Sequence, residues 1–130
     1  MIEKIALLGK YIGMAFQIKD DILGVFSDSL TLGKTTNDIS EFKQTLLYYY
    51  VINSSYKDEL LKYYGKKNLS DEDINSVRNI IVSSGSLDKC NKELNNLFNQ
   101  SIEGIKNMNI SDDYKNILFG FVSYLKFRDK

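Results

Sequence analysis

Gly13-Met14-Ala15-Phe16-Gln17-Ile18-Lys19-Asp20-Asp21-Ile22-Leu23-Gly24 lies inside a segment, residues 1–26, whose apolar positions recur at helical spacing. Ile2, Ile5, Leu8, Ile12, Ala15 and Phe16 form one stripe, and Leu7, Met14, Ile18 and Ile22 fall off it. A helix that is apolar around most of its circumference is a central, buried one. Gly13, Gln17, Asp20 and Gly24 follow one another at spacings of four, three and four, so this apolar helix carries one polar stripe. Each glycine costs about 1 kcal/mol relative to alanine in a helix interior. A groove in which a ligand nears the helix backbone would offset that cost, and so would close helix packing. An adjacent acidic pair taken alone is as well read as a solvated helix end.

Outward from this helix the chain stays helical. Residues 27–40 are a break rich in Ser, Asp, Gly, Thr and Asn. Residues 41–61 predict a second helix with an interruption at 53–56. Ser70 followed by Asp71, Glu72 and Asp73 predicts an N-cap and an acidic first turn. Gly85 suits the end of that helix, and Ser86 the cap of the next, with Leu87, Cys90, Leu94, Leu97, Phe98 and Ile102 facing inward. A last helix is expected from Ser111, burying Tyr114, Ile117, Leu118, Phe121, Val122 and Leu125. There is no proline and no sustained two-residue alternation, so the expected class is all-α, a bundle of about five helices.

Composition removes whole classes of function. The 130 residues hold 17 Lys plus Arg and 17 Asp plus Glu, which argues against a basic nucleic-acid-binding field. No run of about eighteen apolar residues exists to span a membrane. The first residues lack the layout of a signal peptide, and one cysteine, Cys90, forms no internal disulfide; both point to the cytoplasm. With no histidine, imidazole acid–base catalysis and most zinc sites are absent. Any chemistry falls to carboxylates and lysines, with a hard cation.

The run Gly13 to Gly24 is followed by Gly33-Lys34, Asp38-Ile39 and Lys43-Gln44-Thr45-Leu46-Leu47. These four blocks, in this order and spacing, resemble the second aspartate-rich region of the trans-type isoprenyl (polyprenyl) diphosphate synthases, archaeal geranylgeranyl and farnesyl types especially. Ser84-Gly85-Ser86-Leu87 resembles a turn late in those enzymes, and residues 113–130 their closing helix. The resemblance spans the chain and implies the C-terminal half of an isoprenoid-synthase-type fold, over residues 1–130. Three departures stand out. Gly24 replaces the motif's third aspartate, as in Asp-Asp-Ile-Leu-Gly subtypes. Phe42 replaces a glycine. The family's first aspartate-rich motif and its upstream basic residues are missing.

The resemblance implies head-to-tail condensation of isopentenyl diphosphate with an allylic diphosphate, with Mg2+ held between two aspartate-rich motifs. Carried over, Asp20 and Asp21 bind the metal, and Gln17 sits beside the reacting carbons. Lys34 and Lys43 contact the leaving diphosphate, with Asp38 and Thr45 in support. Arg128 is either a further diphosphate contact or a surface arginine. The tyrosines at 48–50 line a prenyl tunnel or belong to the core or an interface. One reading is a half-enzyme, inactive alone, that needs an N-terminal half-chain or a further copy of itself. The alternative is a non-catalytic subunit or remnant, a diphosphate and Mg2+-binding module. A half-bundle would also leave the face of the first helix uncovered.

Overall fold

The computed structural model describes residues 2–26, 39 and 43–127. Every element among them is an α-helix: α1 Ile2–Phe26, α2 Leu46–Ile52, α3 Lys57–Leu61, α4 Asp71–Ser83, α5 Ser86–Lys106 and α6 Asp112–Lys126. The expected all-α class holds. The helices divide into two compact units, and the long helices α1 and α5 each run from one into the other.

The unit that runs from Ile18 to Lys92 contains α2, α3 and α4, which pack on one another. Its core includes Val25, Leu47, Val51, Leu60, Val77 and Ile81. The last turn of α1 has no basic residue of its own. Arg78, on α4, supplies one: its Nε donates to the Val25 carbonyl at 2.7 Å. A guanidinium there satisfies an orphan carbonyl and complements the negative end of the helix dipole.

α4 begins as its sequence requires. The Ser70 hydroxyl accepts from the Asp73 amide, and the Asp73 carboxylate accepts from the Ser70 amide, both at 3.1 Å. This reciprocal capping box satisfies two backbone donors at once. Beyond the C-cap Ser84, Gly85 has φ +83°, the left-handed conformation that ends a helix without a Cβ penalty. Ser86 differs from its expected capping role. α5 starts at Ser86 itself, whose side chain is fully buried and donates its hydroxyl to the Leu47 carbonyl at 2.7 Å. The hydroxyl thus ties α5 to α2.

The expected helix at 41–61 is shorter at its front. Residues 43–45 are not helical, and Thr45 caps α2 by accepting from the Tyr48 amide at 3.3 Å. A threonine hydroxyl turned back on the backbone competes with helix continuation, which places the start at Leu46. The interruption at 53–56 is present: α2 ends at Ile52 and α3 starts at Lys57.

The other unit holds α1 up to Gln17, α5 from Glu93, and α6. Leu8, Leu97, Phe98, Ile105, Val122 and Leu125 are buried. Lys4 Nζ donates to the Asn107 carbonyl at 3.3 Å. Ser111 caps α6 through the Tyr114 amide, as expected. The burial expected for α6 is only partly observed. Val122 and Leu125 are buried, but Tyr114, Ile117 and Phe121 are 65%, 66% and 50% exposed. Residues 118, 122 and 125 form one stripe and 114, 117, 121 and 124 another, and only the first faces the core. The burial expected around most of α1 is also only partly observed: Leu8, Ala15, Ile18 and Val25 are buried, whereas Ile2, Ile5 and Phe16 on one side and Leu7 and Met14 on the other are exposed.

Two predictions follow from this packing. Ser70→Ala should lower stability by about 1 kcal/mol, read as a shift of the urea midpoint at unchanged slope. The apolar faces of α1 and α6 should make the chain self-associate, with sedimentation coefficients rising with concentration; a monomer across the range would contradict this.

Candidate functional site

Asp20 and Asp21 are adjacent on α1 but differ in environment. Asp20 is exposed and Asp21 is 6% exposed. Successive helical residues are about 100° apart, so the two carboxylates point in different directions. The Asp21 carboxylate meets Lys43 Nζ at 3.5 Å, and the Lys43 side chain stays 48% exposed. A carboxylate removed from water needs a charged partner, whereas a half-exposed lysine keeps its reach toward solvent. Two of the residues singled out in the sequence, 22 positions apart, are thus brought together.

Lys43 is also fixed through its backbone. Its carbonyl accepts from the Thr45 amide at 3.1 Å and from the Tyr64 hydroxyl at 2.9 Å. Thr45 is buried, and its hydroxyl caps α2. The Gly65 amide donates to the Ile39 carbonyl at 2.8 Å, so the connector after α3 holds the segment before α2 at two points. Tyr64 was not among the residues the sequence singled out. Its signal there is weak, one tyrosine among nine.

Gln17 is exposed on α1, one turn before Asp20 and Asp21. A Cβ built at Gly13 would meet nothing within 4 Å, so contacts among the described residues do not call for glycine there. Lys34, Asp38 and Arg128 lie outside the described residues. Of the tyrosines at 48–50, Tyr48 packs its ring on Tyr64 at 4.8 Å, and Tyr50 carries the Lys89 ammonium 5.4 Å from its centroid. Tyr49 is exposed.

Among the described residues no three carboxylates, cysteines or histidines gather in a metal-binding group. The donor set still suits Mg2+, which keeps several waters and is typically held by one or two carboxylates together with substrate phosphates. Asp20 offers an outward carboxylate, and Asp21, the next residue on the helix, a second one paired with Lys43.

The polyprenyl synthetase family profile matches residues 1–81. The chain belongs to the polyprenyl synthetase family. Similar proteins include the geranylfarnesyl diphosphate synthase of Aeropyrum pernix, 42% identical over 82 residues, which are 62% of this chain and 26% of that protein. The geranylgeranyl diphosphate synthase of Sulfolobus acidocaldarius is 34% identical over 109 residues, covering 81% of this chain and 33% of that protein. Among solved structures, a geranylgeranyl pyrophosphate synthase of Corynebacterium glutamicum, complexed with isoprenyl diphosphate and magnesium, superposes with a TM-score of 0.88 at 26% identity. That match covers 98% of this chain and 37% of the solved one. This polyprenyl synthetase chain therefore has the all-α isoprenoid synthase fold, and it spans about a quarter to a third of the length of the curated relatives it matches. No described helix is long and apolar enough to cross a membrane.

Cys90 is buried beside this site. Burial pushes its thiol up to about 11 from the ordinary 9.0, the hydrogen bond with Ser86 opposes the shift, and the charge of Asp21 adds to it. The thiol should therefore resist a disulfide reagent at pH 8 in the native chain and react readily in guanidinium. Because the native state holds this proton more tightly than the unfolded chain does, its contribution to stability is full below pH 9 and is lost as pH rises toward 11. Urea midpoints across that window test the sign.

Proposed function

We propose that this chain is the C-terminal half of a prenyl diphosphate synthase that condenses isopentenyl diphosphate with an allylic diphosphate, head to tail. The observation that carries the reading is the pairing of Asp21 with Lys43 beside the outward Asp20, in a chain of this family. In such a reaction the allylic C–O bond ionises, the isopentenyl double bond attacks the allylic cation, and a proton leaves. The diphosphate departs with several negative charges, and stabilising them is the main demand on the protein.

Lys43 meets that demand as a point charge held in place by Asp21, and Lys34 acts as a second. Asp20 and Asp21 would hold Mg2+, Asp21 directly or through water. Gln17 lies beside the reacting carbons and the diphosphate, and Thr45 and Asp38 steady the segments that carry the two lysines. Bound Mg2+ neutralises charge on the departing diphosphate oxygens. The second carboxylate cluster would come from an N-terminal half-chain with the first aspartate-rich motif, and the isolated chain turns over little or no substrate. The cytoplasm, where thiols stay reduced, suits the single Cys90.

Two measurements test this reading. Calorimetry of the chain with inorganic diphosphate should show binding that requires Mg2+ and falls at least about tenfold in an Asp20→Ala, Lys34→Ala double variant, the order expected for losing charge-assisted contacts. Unchanged binding in that variant argues against the cradle. Mixing the chain with an Asp-Asp-x-x-Asp half-chain encoded by the same genome, Mg2+, an allylic diphosphate and labelled isopentenyl diphosphate should yield a longer prenyl diphosphate. Magnesium-dependent binding with no product from a folded pair would favour a non-catalytic binding module instead.

A further inference from the structure

We propose that Tyr64 is a positioning residue for Lys43, acting through the lysine's backbone carbonyl; the assignment rests on the diphosphate-binding role of Lys43 given above. Lys43 belongs to the non-helical residues 43–45, where no ladder of backbone hydrogen bonds fixes the chain. Its side chain is long, and half of it faces solvent. A lysine in that situation gives up rotamer entropy when it is fixed on a ligand. Its grip on an anion therefore depends on how well its Cα is already placed.

Three contacts place it. Asp21 holds the ammonium at 3.5 Å, the Thr45 amide holds the carbonyl at 3.1 Å, and the Tyr64 hydroxyl holds the same carbonyl at 2.9 Å. The first comes from α1 and the second is local, two residues away. The Tyr64 contact reaches from 21 residues on, so it relates the lysine to the connector after α3. The anchor itself is well held. Tyr64 is 6% exposed, its ring packs on Tyr48, which lies in α2, and the next residue, Gly65, donates to the Ile39 carbonyl. The hydroxyl is thus a rigidly mounted donor aimed at the backbone of one candidate ligand-binding residue.

A purely packing role would be carried by the ring, and a positioning role by the hydroxyl. Tyr64→Phe separates them, because it keeps the ring on Tyr48 and removes only the donor. Binding of inorganic diphosphate with Mg2+ is measured by calorimetry on the wild type, Tyr64→Phe, Lys43→Ala and the double variant, with circular dichroism confirming that each is folded. Tyr64→Phe should weaken binding about fivefold, the order of one lost hydrogen bond. In the Lys43→Ala background the same change should have less than about a twofold effect, because the group it positions is gone. Equal affinity of wild type and Tyr64→Phe, or an equal loss in both backgrounds, would overturn the assignment of Tyr64 and leave the diphosphate site standing. A wild-type chain that binds no magnesium diphosphate would overturn the functional reading and this assignment with it.

Discussion

A buried carboxylate must be matched by a cation, and the pair Asp21–Lys43 is where the site and the packing around it meet that requirement together. Asp21 points inward while its neighbour Asp20, about 100° round the helix, points outward. Left alone, the buried charge would cost several kcal/mol. Lys43 answers it at 3.5 Å, and so the segment ahead of α2 has to lie against α1. Breaking one partner of such a pair leaves an uncompensated charge, so the juxtaposition is enforced by the cost of its loss more than by the attraction gained. The lysine that this geometry fixes is one of the two that the family resemblance implies for diphosphate.

The surrounding contacts keep the pair in register. Arg78 ends α1 by holding the Val25 carbonyl, one turn beyond Asp21. Ser86 joins α5 to α2 through the Leu47 carbonyl, and Cys90, one turn further along α5, feels the charge of Asp21. Tyr64 and Gly65 hold the Lys43 and Ile39 carbonyls. Arg78, Ser86, Tyr64 and Gly65 each donate to a backbone carbonyl, and that of Val25 is one that the end of a helix leaves without an intrahelical partner.

What the sequence made legible follows from how local each signal is. Ser70 with Asp73, Gly85 and Ser111 act within a few residues of themselves, and all three are found where the pattern puts them. The start of α2 was misread because the apolar band runs on through a position where a threonine hydroxyl turns back on the backbone. On α6, periodicity gave two apolar stripes and no means to choose which one meets the core. Ser86 looked like a cap because serine commonly is one, but its partner, Leu47, is 39 residues away. The site shows the same division. Asp20, Asp21 and Lys43 were visible through a family pattern of spaced blocks. The link from Tyr64 to Lys43 is a long-range contact with no motif to announce it.

Two independent features bear on whether the described chain supplies a whole catalytic centre. The first is electrostatic: among the described residues no third carboxylate joins Asp20 and Asp21, and a departing diphosphate with more than one Mg2+ needs more oxygen ligands than two carboxylates provide. The second is hydrophobic: α1 and α6 each keep a row of large apolar side chains in water, Ile2, Ile5 and Phe16 on the one and Tyr114, Ile117, Phe121 and Tyr124 on the other. Isolated exposed leucines or isoleucines mean little, but rows along a helix do not persist uncovered without cost. The comparisons supply a common cause, because solved synthases with this fold are more than twice as long as the part that this chain matches. A complementary body that brought carboxylates to the metal and apolar surface to α1 and α6 would satisfy both deficits at once. Neither feature implies the other physically, and both suit the complementary half proposed above.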